Sequence, residues 1–218
     1  MYLPVFNLKE ITYVGNQVLK REDLERLTAV ECGENIFTIR PQQIEKWIQV
    51  TPWVKKATVK RVLPNELIIE IEEREPAFLV LYYTSFLLVS ADGALLGPYS
   101  GQLEHFPIVT GVKIHDPALP GELLADPKLD KLLAAWKQFP DSFLAQVAEF
   151  HLHEEGDLVI YLEDGLEIIF GQATEVTEKL SLIKQALAET ECTVKTVNVW
   201  SGKRAHVSLE ATVLESEE

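Results

Sequence analysis

The chain has 218 residues, 47% hydrophobic and 25% charged, the balance of a globular protein that buries a core and not of a chain disordered along its length. Its net charge of −14 argues against sequence-independent nucleic-acid binding, which needs clustered cations to displace phosphate counterions. No apolar run approaches the length of a membrane span, and Met1 to Lys9 lacks the basic and apolar regions of a signal peptide.

The first elements read strand, helix, helix, strand, strand. Val5 to Val14 is rich in β-formers and stops at the turn signal Gly15-Asn16. Leu19, Leu24 and Leu27 recur at roughly helical spacing through the charged stretch 20–28, and Gly33 and Asn35 break the pattern. A second helix begins at Pro41, a residue suited to the first helical turn. Its apolar face is Ile44, Trp47 and Ile48, and Thr51-Pro52 ends it. Trp53 to Val62 and Leu67 to Arg74 then form two strands joined by Leu63-Pro64-Asn65-Glu66. Leu67, Ile69 and Ile71 take one face and Glu70 and Glu72 the other, the alternation of a half-buried antiparallel strand. Two helices on one side of three strands make a domain of about 70 residues, near the lower limit for independent stability.

At Glu75-Pro76 the pattern restarts, and so does the charge balance. Residues 1–75 are close to neutral, whereas residues 76–218 carry a net −13, which points to two units in different surroundings. Phe78 to Tyr83, Phe86 to Val89 and Ala94 to Leu96 read as strands, with a turn at Asp92-Gly93. A stretch rich in Pro and Gly follows, holding one short apolar run, Ile108 to Val112. Asp126 caps a helix with Pro127 in its first turn; Leu129, Leu132, Leu133 and Trp136 form its stripe, and Pro140 stops it. Val147 to Leu152 and Leu158 to Leu162 are strands, and Asp164-Gly165 is a hairpin signal before Leu166 to Phe170. Thr174 caps a helix whose face is Val176, Leu180, Ile183 and Leu187. Val194 to Trp200 and Ala205 to Val213 close the chain as a hairpin across Ser201-Gly202-Lys203, followed by an acidic tail at 215–218.

Little in this pattern carries chemistry. There is no Gly-x-Ser-x-Gly elbow, no Gly-rich phosphate loop and no histidine beside either cysteine. Cys32 and Cys192 match neither a zinc spacing nor a disulfide scaffold and read as small buried residues. His151 and His153 face the same way on a strand, with Glu154 and Glu155 near. No third zinc ligand is specified by spacing, however, so an exposed polar strand end is the simpler reading. No cofactor or catalytic residue is expected. Trp47, Trp53 and Trp136 fall on core faces, and Trp200 is weighed between a core position and an exposed binding anchor, with core preferred. Lys55, Lys56, Lys60 and Arg61 are the basic cluster, read as a solvated strand face or as a contact with anionic lipid or an acidic partner.

Longer motifs go further. Phe6-x-Leu8-x-x-Ile11-x-x-Val14-Gly15-Asn16 and Gly33-x-Asn35-Ile36-Phe37 resemble the opening of a POTRA domain. The run Pro52-Trp53-Val54-Lys55-Lys56-Ala57 through Arg61-x-Leu63-Pro64-Asn65 to Glu73-Arg74-x-Pro76 resembles the bacterial cell-division family FtsQ/DivIB. So do Leu88-Val89-x-x-Asp92-Gly93, Phe106-Pro107-Ile108-Val109-x-Gly111 and Leu162-x-x-Gly165-x-x-x-x-Phe170-Gly171.

The resemblance implies an α+β chain: a POTRA domain (β-α-α-β-β) at 1–75, then a mainly antiparallel β domain with two helices at 76–214, then a disordered tail at 215–218. It further implies a non-enzymatic divisome scaffold that binds FtsB/DivIC and FtsL outside the cytoplasmic membrane and helps regulate septal peptidoglycan synthesis. Family members are single-pass membrane proteins. Their short cytoplasmic tail and N-terminal span would precede Met1, so the sequence is expected to be a fragment of the whole. The family's partner adds at the last strand of the β domain, which maps onto Val197 to Val207. Val197, Asn198, Val199, Trp200, Ser201, Lys203 and Arg204 are the expected contacts, although Asn198, Val199 and Trp200 stand where the family often has an acidic residue, Leu and Arg. The alternative is a POTRA chaperone module of an outer-membrane assembly or secretion protein.

Overall fold

The computed structural model describes residues 4–101, 106–190 and 193–209. Cys192 and the tail at 215–218 lie outside them; Cys32, expected to be buried, is exposed, its thiol donating to the Lys9 carbonyl at 3.4 Å. The chain forms two units, one of Met1–Pro76 with Ala94–Gly97 and Leu119–Glu122, the other of Ala77–Gly93, Pro98–Ala118 and Leu123–Glu218.

In the first unit β1 (Glu10–Val14), α1 (Arg21–Thr28), α2 (Pro41–Gln49), β2 (Val54–Val62) and β3 (Glu66–Glu73) follow in order. The sheet order is β1-β3-β2, with β1 parallel to β3 and β3 antiparallel to β2. Leu67, Ile69 and Ile71 of β3 join Leu24 of α1 and Ile44 and Ile48 of α2 in one core, the burial that a domain of this size depends on. The strand expected from Val5 begins only at Glu10. Before it, a 3-10 turn runs over Pro4–Phe6, and the carbonyls of Phe6 and Leu8 accept from the amides of Ile36 and Gly33. Proline at the start brings no N–H to a ladder, and the following carbonyls are satisfied by the loop instead. Trp47 is 41% exposed and so is not the core residue its helix face suggested.

The Glu-Arg pair that ends β3 has a clear physical role. The Glu73 carboxylate accepts from the amides of Gln17, Val18 and Leu19, fixing the β1–α1 connection. The Arg74 guanidinium donates to the carbonyls of Pro52 and Val54, both at 2.7 Å, fixing the entry to β2. Charge-assisted bonds to backbone are among the stronger ones a surface can make.

Beyond Glu75 come β4 (Pro76–Tyr82), β5 (Ser85–Ser90), β6 (Leu95–Pro98), β7 (Ile108–Thr110), α3 (Pro127–Trp136), α4 (Asp141–Leu144), β8 (Val147–Leu152), β9 (Leu158–Leu162), β10 (Glu167–Gly171), α5 (Val176–Ala188), β11 (Val194–Asn198) and β12 (His206–Leu209). The larger sheet has the order β12-β11-β10-β9-β8-β7-β4-β5-β6. Within the mainly antiparallel sheet expected, three neighbour pairs run parallel: β4 with β7, β7 with β8 and β10 with β11. For two of these pairs the reason lies in the helices: α3–α4 between β7 and β8, and α5 between β10 and β11, carry the chain back so that the next strand starts parallel to the last, whereas β4 reaches β7 through β5 and β6. The one-turn helix α4 after Pro140 was not expected. The N-cap of α5 is Glu175 in a left-handed conformation (φ 52°), not Thr174. Phe78, Trp136, Phe139, Phe150 and Phe170 form the aromatic centre of this unit, with ring centroids 5.3 to 5.7 Å apart along the chain of contacts.

Candidate functional site

The C-terminal hairpin decides what the sheet offers to a partner. β11 is parallel to β10 on one side, with Ile168 opposite Val197, and antiparallel to β12 on the other, with Val197 opposite Val207. Val194–Asn198 is therefore an interior strand. Among the described residues β12 is the last strand of the sheet at this end, and alternate backbone N–H and C=O groups of an edge strand have no ladder partner. The expected second strand, Ala205 to Val213, is seen as His206–Leu209, and 210–213 lie outside the described residues.

The expected contact residues divide into two kinds. Val197 and Val199 are fully buried, and the Val199 amide donates to the Ile169 carbonyl at 3.0 Å. Asn198 is half-buried and its Oδ1 accepts from the Trp200 amide at 3.0 Å. Trp200 is 54% exposed, which corrects the preference for a core position. Ser201, Lys203 and Arg204 are exposed in the connection to β12.

One side chain beneath the hairpin was missed. Lys179 of α5 is only 2% exposed. Its Nζ donates to the carbonyls of Phe170 at 3.0 Å and Gln172 at 2.8 Å, and sits 4.7 Å over the Phe170 ring. Burial pulls its pKa below that of a free lysine, against the opposing pull of Glu175 and Asp157. The signal was legible: 176, 179 and 183 are spaced i, i+3, i+7, so Lys179 shares the buried face with Val176 and Ile183.

The four cations of the first unit are not one free patch. Lys55 pairs with Glu72 at 2.6 Å and Lys60 with Glu70 at 2.5 Å across β2 and β3, and the Arg61 guanidinium donates to the Ile39 carbonyl. Lys56 is exposed.

A groove of about 870 Å³ opens where β7 and β8 end and α3 begins, lined by Gly111, Lys113, His115, Asp126, Lys128, His151 and His153 among others. Asp126 is fixed there by accepting from the amides of Lys113 at 2.9 Å and Lys128 at 2.8 Å. The His151 and His153 rings meet edge to face at 4.7 Å, and His151 Nδ1 lies 2.7 Å from the Thr110 hydroxyl. Among the described residues no group of three or more His, Cys, Asp or Glu side chains is placed to hold a metal ion.

Comparison with known proteins bears on both units. A family model described as POTRA domain, FtsQ-type matches residues 6–74, and one described as cell division protein FtsQ/DivIB, C-terminal matches residues 80–200. The cell division protein FtsQ of Geotalea daltonii is 32% identical over 155 residues, covering 67% of this chain and 54% of that protein. The cell division protein DivIB of Clostridium acetobutylicum is 28% identical over 94 residues, covering 43% of this chain and 38% of that protein. The chain spans about half the length, or less, of these relatives. Among solved structures, the major extracytoplasmic domain of the cell division protein DivIB from Geobacillus stearothermophilus aligns over 54% of this chain and 93% of that one, with 20% identity and a TM-score of 0.39.

Proposed function

Because the chain belongs to the FtsQ/DivIB family of cell division proteins, we propose that it is the extracytoplasmic part of a single-pass membrane protein at the division septum. In this reading it is a non-enzymatic scaffold that binds FtsB/DivIC-type and FtsL-type division proteins and so helps regulate septal peptidoglycan synthesis. Residues 1–75 are its POTRA domain and 76–214 its partner-binding β domain. No helix is long and apolar enough among the described residues to cross a membrane, and the anchor is proposed to precede this sequence in the whole protein.

One observation carries the reading of the site: among the described residues, His206–Leu209 is the edge strand at the end of a large sheet. A partner segment adds there as a further strand, its main chain bonding to the unpaired groups of β12. The side chains of Trp200, Lys203 and Arg204 flank the strand and supply selectivity, while Asn198 and Ser201 shape the turn that presents them. Val197 and Val199 act from inside, by holding β11 to the core. The basic residues Lys55, Lys56, Lys60 and Arg61 of the POTRA unit are proposed as a secondary contact with a partner or the membrane surface, Lys55 and Lys60 being screened by the glutamates they pair with. A POTRA chaperone of outer-membrane assembly is not favoured, since residues 80–200 match the cell-division family.

Amide hydrogen exchange of this chain with and without the extracytoplasmic segment of the FtsB/DivIC-type protein tests the assignment. Protection is expected at His206 to Leu209, and protection elsewhere with β12 unchanged would overturn it.

A further inference from the structure

The strand-adding hairpin is short, and its order depends on what its connection rests on. From Trp200 to Arg204 the chain folds against the first turn of α5 and the turn after β10. At Gly171 (φ +71°) a Cβ would lie 3.2 Å from both Cα and Cγ of Trp200, so the tryptophan backbone and ring sit directly on that turn. At Gly202 (φ +66°) a Cβ would lie 2.5 Å from Oε2 of Glu175 and 3.7 Å from Cε of Lys179, so the connection rests on these two side chains. The Gly202 amide closes it by donating to the Val199 carbonyl at 2.9 Å.

Lys179 touches both halves of this seat. Its ammonium holds the carbonyls of Phe170 and Gln172, on either side of Gly171, and its stem lies under Gly202. A buried ammonium without a carboxylate bound to it is costly, and an aliphatic side chain would fill the same space on the face shared with Val176 and Ile183. What the aliphatic residue lacks is donors, which leave two carbonyls at the sheet end without a partner.

We propose that Lys179 is a positioning residue for partner binding: it locks the Gly171–Gln172 turn, on which Trp200 sits, lies under Gly202 with its stem, and so holds β12 ready to receive a strand. This rests on the reading of β12 as the docking edge, but the ordering of the hairpin is measurable without any partner.

The test is amide hydrogen exchange on the free chain with Lys179→Met, which keeps the length and removes the donors. Exchange across 194–209 is expected to quicken by about tenfold or more through local opening, while β2 and β3 keep the parent's rates. Affinity for the FtsB/DivIC-type segment falls with it. Rates across 194–209 equal to the parent's would overturn the inference whether or not the segment binds, and failure of the parent itself to bind would overturn only the docking reading. Should Lys179→Met not fold, Lys179→Gln is read in its place: its shorter amide cannot hold both carbonyls as the ammonium does, so quickening confined to 194–209 supports the seat, and parent-like rates refute it.

Discussion

At the scale of single residues, Asp126 shows how one carboxylate can organise a loop and a helix together. Burial raises its pKa, but the amides of Lys113 and Lys128 outweigh this and hold it below the usual 3.8. A carboxylate with a lowered folded pKa contributes stability that is complete above the unfolded value and lost as pH falls through the folded one. Asp126→Ala is therefore expected to cost about 1–2 kcal/mol at neutral pH, the range for losing an N-cap with a second buried bond. The difference from the parent should shrink below about pH 3–4; urea unfolding at several pH values measures it, and a cost independent of pH would contradict the assignment. Asp126 was readable as a cap because Asp-Pro before an apolar stripe is a helix-start pattern. Lys179 was not recognised, because a lysine is ordinarily assigned to the solvent face and only its spacing from Val176 and Ile183 argued otherwise.

The elements were legible where hydrophobic period and turn chemistry agree. β8 and β9 appear at the expected residues, and β3 shows the expected alternation, Leu67, Ile69 and Ile71 inward. Less legible was anything settled by partners distant in sequence. The parallel pairings of β7 with β8 and β10 with β11 follow from where two helices return the chain, not from any local pattern. The same holds for the site. The receiving strand was expected within Val197 to Val207, and only sheet order shows that β11 is enclosed and that β12 is outermost among the described residues. A proline at Val199 would thus remove the amide bond to Ile169 and strike the core. Val207→Pro and Ser208→Pro are the informative pair, since neighbouring residues of an edge strand aim their amides at β11 and outward in turn. One of the two is expected to cost about 3 kcal/mol in urea unfolding and the other much less. Equal costs would mean that β12 is not an ordinary edge.

For the whole chain, charge separates the two regions more sharply than any motif. The near-neutral residues 1–75 and the −13 of residues 76–218 give a partner segment rich in Lys and Arg a long-range attraction toward the second unit. Association should accordingly slow several-fold when salt rises from about 0.1 M to about 1 M, as the Debye length falls from ~10 to ~3 Å. Stopped-flow mixing reads this, and a rate indifferent to salt would remove steering from the account. The count of charged residues along the chain already showed this asymmetry. The family came from longer motifs such as Pro52-Trp53-Val54 and Glu73-Arg74, whose side chains and turns hold the first unit together.

The most direct measurement is a calorimetric titration of the chain with the extracytoplasmic segment of the FtsB/DivIC-type protein, run beside whichever of Val207→Pro and Ser208→Pro leaves the fold's stability nearest the parent's. The parent is expected to bind and the proline variant to lose binding while its unfolding transition stays in place. Equal binding by both would contradict strand addition at β12.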